Sequence, residues 1–314
     1  MKLVLERRAS AILYHLLTAR ADRRPFLLPA NICPIVPLTF LKAGVPFEFV
    51  DISAATLHMD LEAAAARLQS GGFGGLLYAH TYGEPSTPFD FFAAVKADHP
   101  SLLLIDDRCL CEPDLTPPRH PADVLLYSSG YAKIVDLGFG GYAFLRPDLP
   151  YAPRPLPFQP EHLKALEQAY KESLAARRPF HYADSDWLES GGDMPAWDEY
   201  RRRLAEGLKQ AQAHRNTINA IYAARLPAWA QLPPAYQNWR FNLRLPQREQ
   251  ARQAIFEAGL FASAHYASLA GVFAPGVCPQ AESLAAQVLN LFNDHHYSAA
   301  MAEQTCDIIL RLLA

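Results

Sequence analysis

The sequence predicts an α/β fold: a mainly parallel sheet flanked by helices, followed by a smaller α+β domain at the C-terminus. Three observations carry this. Short apolar runs alternate with helix-like stretches through the first half, prolines crowd the middle, and a shorter alternation returns after two long helical patterns. The runs are Phe26–Leu28, Phe47–Val50, Gly75–Tyr78, Leu102–Ile105, Val124–Tyr127 and Gly141–Leu145. Runs this short, apolar on both faces, suit strands covered on both sides, and Leu61–Leu68 and Phe91–Lys96 between them suit crossover helices. Prolines 147, 150, 153, 155, 157 and 160 make a stiff extended connector. We place the domain boundary there, with a large domain over 1–150 and a small one over 151–314. Beyond it, Glu161–Arg177 and Trp197–Arg225 are rich in good helix formers. Asp184–Asp193, with its glycine pair, reads as a mobile loop. Trp239–Leu245 reads as a strand, Gln247–Gly259 as a helix, Phe261–Tyr266 as a strand, and helices start from Ala281 and Ser298.

Bulk composition narrows the function classes. Of 314 residues, 50% are hydrophobic and 19% charged, so a sizeable core is available and disorder is disfavoured. The net charge is −3 with both signs mixed along the chain. No basic block marks a nucleic-acid partner and no basic amphipathic face marks a membrane surface. Charges interrupt the first residues, so they do not read as a signal peptide, and no run reaches the ~18 apolar residues of a spanning helix. The five cysteines are an odd number without paired spacing, which suits reduced thiols in a cytoplasmic protein. Cys109 and Cys111 lack a second Cys/His pair, so no metal is expected.

The chemistry is concentrated in Tyr127–Gly141. Lys133 stands midway between Ser128 and Gly138, with Gly140 and Gly141 following, and two apolar runs flank the whole. Such a lysine is either a surface residue on a turn or one that forms a Schiff base with an aldehyde cofactor in a pocket kept open by glycines. The strand Leu102–Asp107 ends on two carboxylates, and a carboxylate facing the lysine favours pyridoxal phosphate (PLP). That cofactor needs a lysine for its aldehyde, a carboxylate for its ring nitrogen, and hydroxyl or N–H donors for its phosphate. Lys133, Asp107, Ser128 and Ser10 can supply these. Asp107, His80 and Ser128 all fall at strand ends, where open α/β sheets bind ligands.

At these residues the chain resembles the DegT group (DegT/StrS-like) of fold-type I PLP-dependent sugar aminotransferases. Leu28–Pro34 and Ala43–Ile52 resemble the family's Pro-Ser-x-Thr segment and its "AGA-P-FVDI" strand. His80–Gly83 resembles the "H-x-YG" turn, Ser128–Gly141 the "S-x4-K-x4-G-x-GG" lysine segment, and Cys278–Leu289 a C-terminal helix. The resemblance runs from about residue 8 to the end and is poorest over 150–235. It implies a fold-type I PLP-transferase with Lys133 as Schiff-base lysine and proton shuttle. Asp107 would pair with the pyridinium, and Ser128, Ser10 and the Ala11 N–H would bind phosphate, the last two falling where the family has "GTAAL". It further implies a keto-sugar substrate of the nucleotide-linked kind, an amino-acid donor, a homodimer, and a place in sugar or polysaccharide biosynthesis.

Four positions depart from that pattern. Leu110 stands where the family has Gln, and Cys33 where it has a ring-stacking aromatic. Phe139 stands where it has Glu, and its "GYN-R" segment, which reaches the partner subunit, has no clear counterpart between Phe180 and Trp197. His80 and His265 are candidates for substrate contact, and either could equally be an ordinary core histidine. Asp106 reads as a helper or a surface acid, Ser10 could be a simple helix cap, and His295–His296 reads as a solvated turn.

Overall fold

The structure, a computed structural model, describes residues 1–313. Seven strands form the main sheet: β1 (Lys2–Glu6), β2 (Phe26–Pro29), β3 (Phe47–Val50), β4 (Gly75–Ala79), β5 (Leu103–Asp107), β6 (Val124–Ser128) and β7 (Gly141–Leu145). Their order is β1-β7-β6-β5-β4-β2-β3. The five strands from β6 to β3 are mutually parallel, and β7 runs antiparallel to both neighbours. Helices α1 (Ala9–Ala19), α2 (Ile35–Ala43), α3 (Leu61–Leu68) and α4 (Phe89–Asp98) lie between the strands. Leu76, Leu77, Leu104, Ile105, Val124 and Leu125 are fully shielded, which is why these runs carry no polar alternation.

All six apolar runs are strands, and one strand of the main sheet was not read from the sequence. β1 has a charge at each end and only Leu3-Val4-Leu5 between them, and it pairs with β7 from Lys2↔Leu145 to Glu6↔Gly141. That register delivers the chain directly into α1 at the sheet edge.

After β7 come α5 (Pro160–Ala175), α6 (Trp197–Arg225), β8 (Phe241–Arg244), α7 (Arg248–Glu257), β9 (Ala262–Ser263), α8 (Pro279–Gln287), β10 (Val288–Leu291) and α9 (Ala299–Leu313). A second sheet has the order β8-β10-β9. Val288 and Leu289, read as the end of a helix, instead open β10, the central strand of this sheet. A hydrophobic cluster from Ile218 to Ile309 surrounds it. Leu166, Trp187, Leu188, Tyr200 and Leu204, which follow the proline connector, belong to the larger cluster around the main sheet.

The segment 184–193 is no free loop. It has no regular structure, but Trp187 and Leu188 are buried. Lys42 Nζ donates to Asp184 Oδ1 (2.9 Å) and Asp186 N–H to His162 Nδ1 (3.1 Å), while Ser190 Oγ donates to Arg154 O (3.1 Å). The aspartates and glycines that suggested mobility sit beside an aromatic anchor, and burial of a tryptophan outweighs local loop preference. No described helix is long and apolar enough to cross a membrane.

Candidate active site

The carboxyl edge of the sheet collects the chemistry. β5 ends on Asp107, β6 ends on Ser128, and the ladder sets Ala79 opposite Asp107 and Ser128 opposite Gly141. Because β7 is antiparallel, its first residue, not its last, reaches this edge. A Cβ on Gly141 would lie 2.3 Å from Ala9 N, so only glycine lets the start of α1 press against the strand. Gly140 is equally confined: its φ is +102°, and a Cβ there would lie 2.3 Å from the Tyr200 hydroxyl oxygen.

Lys133 sits on the loop between β6 and β7, and that loop is clamped on every side. The Asp136 carboxylate accepts from Ala132 N–H (2.8 Å) and Gly138 N–H (2.9 Å). Trp239 Nε1 donates to Ala132 O (2.6 Å), and the buried Arg215 donates to Lys133 O (3.2 Å) and Ile134 O (3.3 Å). Ser129 Oγ donates to Phe139 O (2.7 Å) and contacts the Tyr200 hydroxyl (2.5 Å). Sequence reading missed these positioning residues. Asp136 alone carried a local signal, since an aspartate between a lysine and a glycine favours a side-chain-capped turn. Trp239, Arg215 and Tyr200 arrive from distant elements.

A cavity of about 350 Å³ opens beside the loop, within the usual range for small-ligand sites. Lys133, Asp107, Ser128, Ser10 and Cys33 all line it. A smaller annex of about 40 Å³ shares Lys133, Asp107 and Cys33 and adds Leu110 and Tyr266. Asp107 is buried, and its carboxylate meets Cys109 through both the backbone N–H (3.0 Å) and the thiol. Burial pushes its carboxyl up, with the Cys109 contacts and the Lys133 charge opposing. Burial likewise raises the Cys33 thiol, so Cys33 meets the cavity as a neutral group.

The opposite end of the cavity carries hydroxyl and N–H donors. Ser128 Oγ accepts the Gly130 N–H (3.2 Å), which leaves its own proton free to donate. Arg8 precedes the first residue of α1 and offers no side-chain cap. The Ala11 and Ile12 N–H groups both donate to Arg8 O, so those of Ala9 and Ser10 lie outside the ladder, at the positive end of the helix dipole. Ala11 is fully buried and its N–H donates to Arg8 O (3.1 Å), whereas Ser10 lines the cavity. Ser10 is not the cap.

The remaining candidates fall elsewhere. His80 borders the annex, yet its Nδ1 pairs with Glu84 O (2.7 Å) and its Nε2 with Asp106 Oδ1 (2.8 Å). Asp106 is not on the surface. It is fully buried on the sheet face opposite Asp107, within ion-pair distance of Arg108 (3.3 Å) and His120 (3.2 Å) as well. Burial alone would raise its carboxyl, but His80, His120 and Arg108 outweigh that and hold it well below the carboxylate range. His58, His80 and Glu84 bring ligand atoms within 4.8 Å of one another, but both His80 nitrogens are engaged and Ser86 occupies the Glu84 carboxylate. His265 is exposed on the segment after β9, its ring 5.7 Å from that of Trp239, and does not line the cavity. All five cysteines are free.

No protein-family model matches the chain, and no curated protein sequence matches it. Solved structures do. DesI, crystallised in the presence of its TDP-sugar product, superposes with a TM-score of 0.74 at 17% identity, over 99% of this chain and 80% of DesI. Spr1654 from Streptococcus pneumoniae in its PLP form gives 0.68 at 16%, over 100% and 88%. A DegT DnrJ EryC1 StrS aminotransferase from Brucella abortus gives 0.66 at 16%, over 99% and 86%. At these identities the likeness fixes the fold: the chain has the fold-type I architecture of PLP-dependent aminotransferases.

Proposed function

We propose that this protein is a PLP-dependent aminotransferase acting on a keto sugar, nucleotide-linked, with an amino acid as donor. One observation carries the reading. Lys133 and a buried Asp107 share a cavity whose far end offers Ser128, Ser10 and a helix N-terminus. These residues fit the cofactor by donor type: a carboxylate for a cationic ring nitrogen, hydroxyl and N–H donors for a phosphate, and an amine between them.

When bound, PLP supplies an aldehyde that captures an amine and a ring that accepts the electron pair released at the substrate carbon. The chain's residues do the rest. Lys133 would hold the aldehyde through Nζ and, once released, would move a proton at Nζ. Asp107 keeps a proton on the ring nitrogen; opposite charges at ~4 Å interact by ~4 kcal/mol at an effective dielectric of ~20. Ser128 and Ser10 orient the phosphate. The Asp136, Trp239 and Arg215 clamp keeps the Lys133 backbone in place while its side chain swings. The structural neighbours named above, one with a TDP-sugar product and one in a PLP form, support the substrate class and the cofactor.

The same reading places the enzyme in the cytoplasm, in sugar or polysaccharide biosynthesis, as a homodimer of twice the 34.9 kDa chain, with 1–150 as the cofactor domain and 151–314 as the smaller one. A second reading rests on Leu110 and Cys33. Both border the annex, where the resembled family has a glutamine and an aromatic, and this favours PLP chemistry on another carbonyl or amino compound, or a binding protein without turnover.

The decisive experiment is borohydride reduction of the PLP-loaded protein followed by peptide mapping. The label is expected on Lys133 and absent in Lys133→Ala; a label on another lysine sinks the proposal. Glutamate-driven conversion of the bound cofactor to its amine form separates a transaminase from a binding protein. Light scattering at micromolar concentration should give the dimer mass, and a PLP-loaded monomer would contradict the assembly.

A further inference from the structure

Arg8 occupies a position that the cofactor reading leaves without a role. The β1–β7 register ends at Glu6↔Gly141, which sets Arg8 at the sheet edge immediately ahead of α1, and its side chain lines the same cavity as Ser10 and Ser128. Gly130 fixes the geometry. The point where its Cβ would stand lies 3.4 Å from Arg8 Nη1 and 3.5 Å from Ser128 Oγ. The guanidinium and the hydroxyl therefore both flank a residue with no side chain, and all three residues line the cavity.

The guanidinium is held, not loose. Its Nε donates to Glu189 Oε2 (2.7 Å) and its Nη1 to Gly138 O (2.9 Å), and it lies over the Tyr131 ring at 5.0 Å. Those two bonds use two of the five N–H donors of an arginine, so three remain for a ligand. Arg7 also reaches Glu189, at 3.4 Å, so two guanidiniums share that carboxylate, and Glu167 lines the same cavity. The Arg8 side chain is only 25% exposed, and charge-assisted bonds in partly buried positions are stronger than at an open surface.

Glu189 comes from the segment between Phe180 and Trp197, where the resembled family carries the stretch that reaches the partner subunit. Here that segment folds back on its own chain, with Trp187 and Leu188 buried and Glu189 braced against Arg8. The "GTAAL" pattern that Arg8–Leu13 resembles has no arginine.

We infer that Arg8, braced by Glu189, is the cationic phosphate-binding residue of this site, so that the chain supplies its own charged contact to a phosphate monoester. The inference rests on the PLP reading, and the test keeps the two apart by comparing PLP with pyridoxal, which carries the same aldehyde and ring but no phosphate. Affinities for both are measured by absorbance titration on the cofactor-free wild type, Arg8→Met and Arg8→Lys. The wild type should prefer PLP. Arg8→Met should lose about tenfold or more in PLP affinity, the scale of a charge-assisted bond, while its pyridoxal affinity stays within about twofold. Arg8→Lys, which keeps the charge but not the fork, should fall between, and it carries the test if Arg8→Met does not fold. Inorganic phosphate should raise the melting temperature of the cofactor-free wild type more than that of the variants.

Equal losses for PLP and pyridoxal in Arg8→Lys, or an unchanged ratio in both variants, overturn the role of Arg8 and leave the cofactor reading standing. A wild type that binds both equally overturns the phosphate subsite. A wild type that binds neither overturns the cofactor reading and this inference with it.

Discussion

Gly141→Ala tests whether the cavity depends on how closely α1 approaches the sheet. The added Cβ would lie 2.3 Å from Ala9 N, 2.5 Å from Ala9 Cα and 2.7 Å from Arg8 C. All three are backbone atoms, so no side chain can swing aside. Ordinary contact begins near 3.4 Å, so the start of the helix must retreat by roughly 1 Å. It is poorly placed to do so: Gly140 N–H donates to Arg7 O at 2.8 Å, and Ala11, Ile12, Leu13, Leu16 and Leu17 are packed with almost no exposure. Overpacking of this kind costs ~1–3 kcal/mol, a drop of several degrees in Tm for a chain of this size at roughly 2–4 °C per kcal/mol. The effect on the site is directional. Ser128 stays in register with residue 141, while Ser10 and Arg8 move with the helix, and a hydrogen bond lengthened by ~1 Å is no longer one. PLP affinity should fall about tenfold, pyridoxal affinity much less. Differential scanning fluorimetry and absorbance titration read both quantities. A variant with unchanged Tm and unchanged PLP affinity would show that the glycine is not what seats the helix.

Two further substitutions separate the paired aspartates. Burial raises the Asp107 carboxyl in the cofactor-free protein, so the folded state binds that proton more tightly than the unfolded chain. Such an acid favours the fold at low pH and loses stability as pH climbs from its unfolded value through the raised one. Asp107→Asn should therefore stabilise the cofactor-free protein at pH 7, by an advantage that shrinks toward pH 4 in urea titrations, while turnover of the loaded enzyme falls steeply; an advantage equal at every pH would refute the linkage. Asp106→Asn should do the reverse. It leaves His80, Arg108 and His120 around an uncharged amide in a fully buried setting, and breaking such a cluster costs ~3–5 kcal/mol. A loss under ~1 kcal/mol by urea unfolding would mean the cluster is solvated.

The residues legible in the sequence are those whose signal is local. Asp107 and Ser128 terminate apolar runs, so strand ends and chemistry coincide, and Lys133 stands out by its spacing from Ser128 and the glycines. What the sequence concealed depends on distant partners. β1 is a strand because β7 lies beside it, and two charged ends hide five residues of pairing. Trp187 turns a segment of glycines and aspartates into a fixed wall of the cavity only because the main core receives it. Asp106 was within reach of simple parity. Successive side chains on a strand face opposite ways, so if Asp107 faces the cavity then Asp106 cannot, and His80, one residue past the Ala79↔Asp107 pair, must share the face of Asp106. That step assigns His80 to the buried ion cluster.

The direction of β7 explains why the glycine pair stands where it does. In a sheet whose strands all ran parallel, the residues at the carboxyl edge would be strand ends, as Asp107 and Ser128 are. β7 runs the other way, so its beginning meets that edge, and residues 140 and 141 face the start of α1 and the Ser129–Tyr200 contact. The loop between Ser128 and Gly141 must then leave and re-enter the sheet at one edge, and Lys133 lies near the middle of it. The lysine is thus held over the strand ends by a closed hairpin anchored at both feet. In a parallel crossover the same loop would have led away across the sheet face and carried the lysine with it.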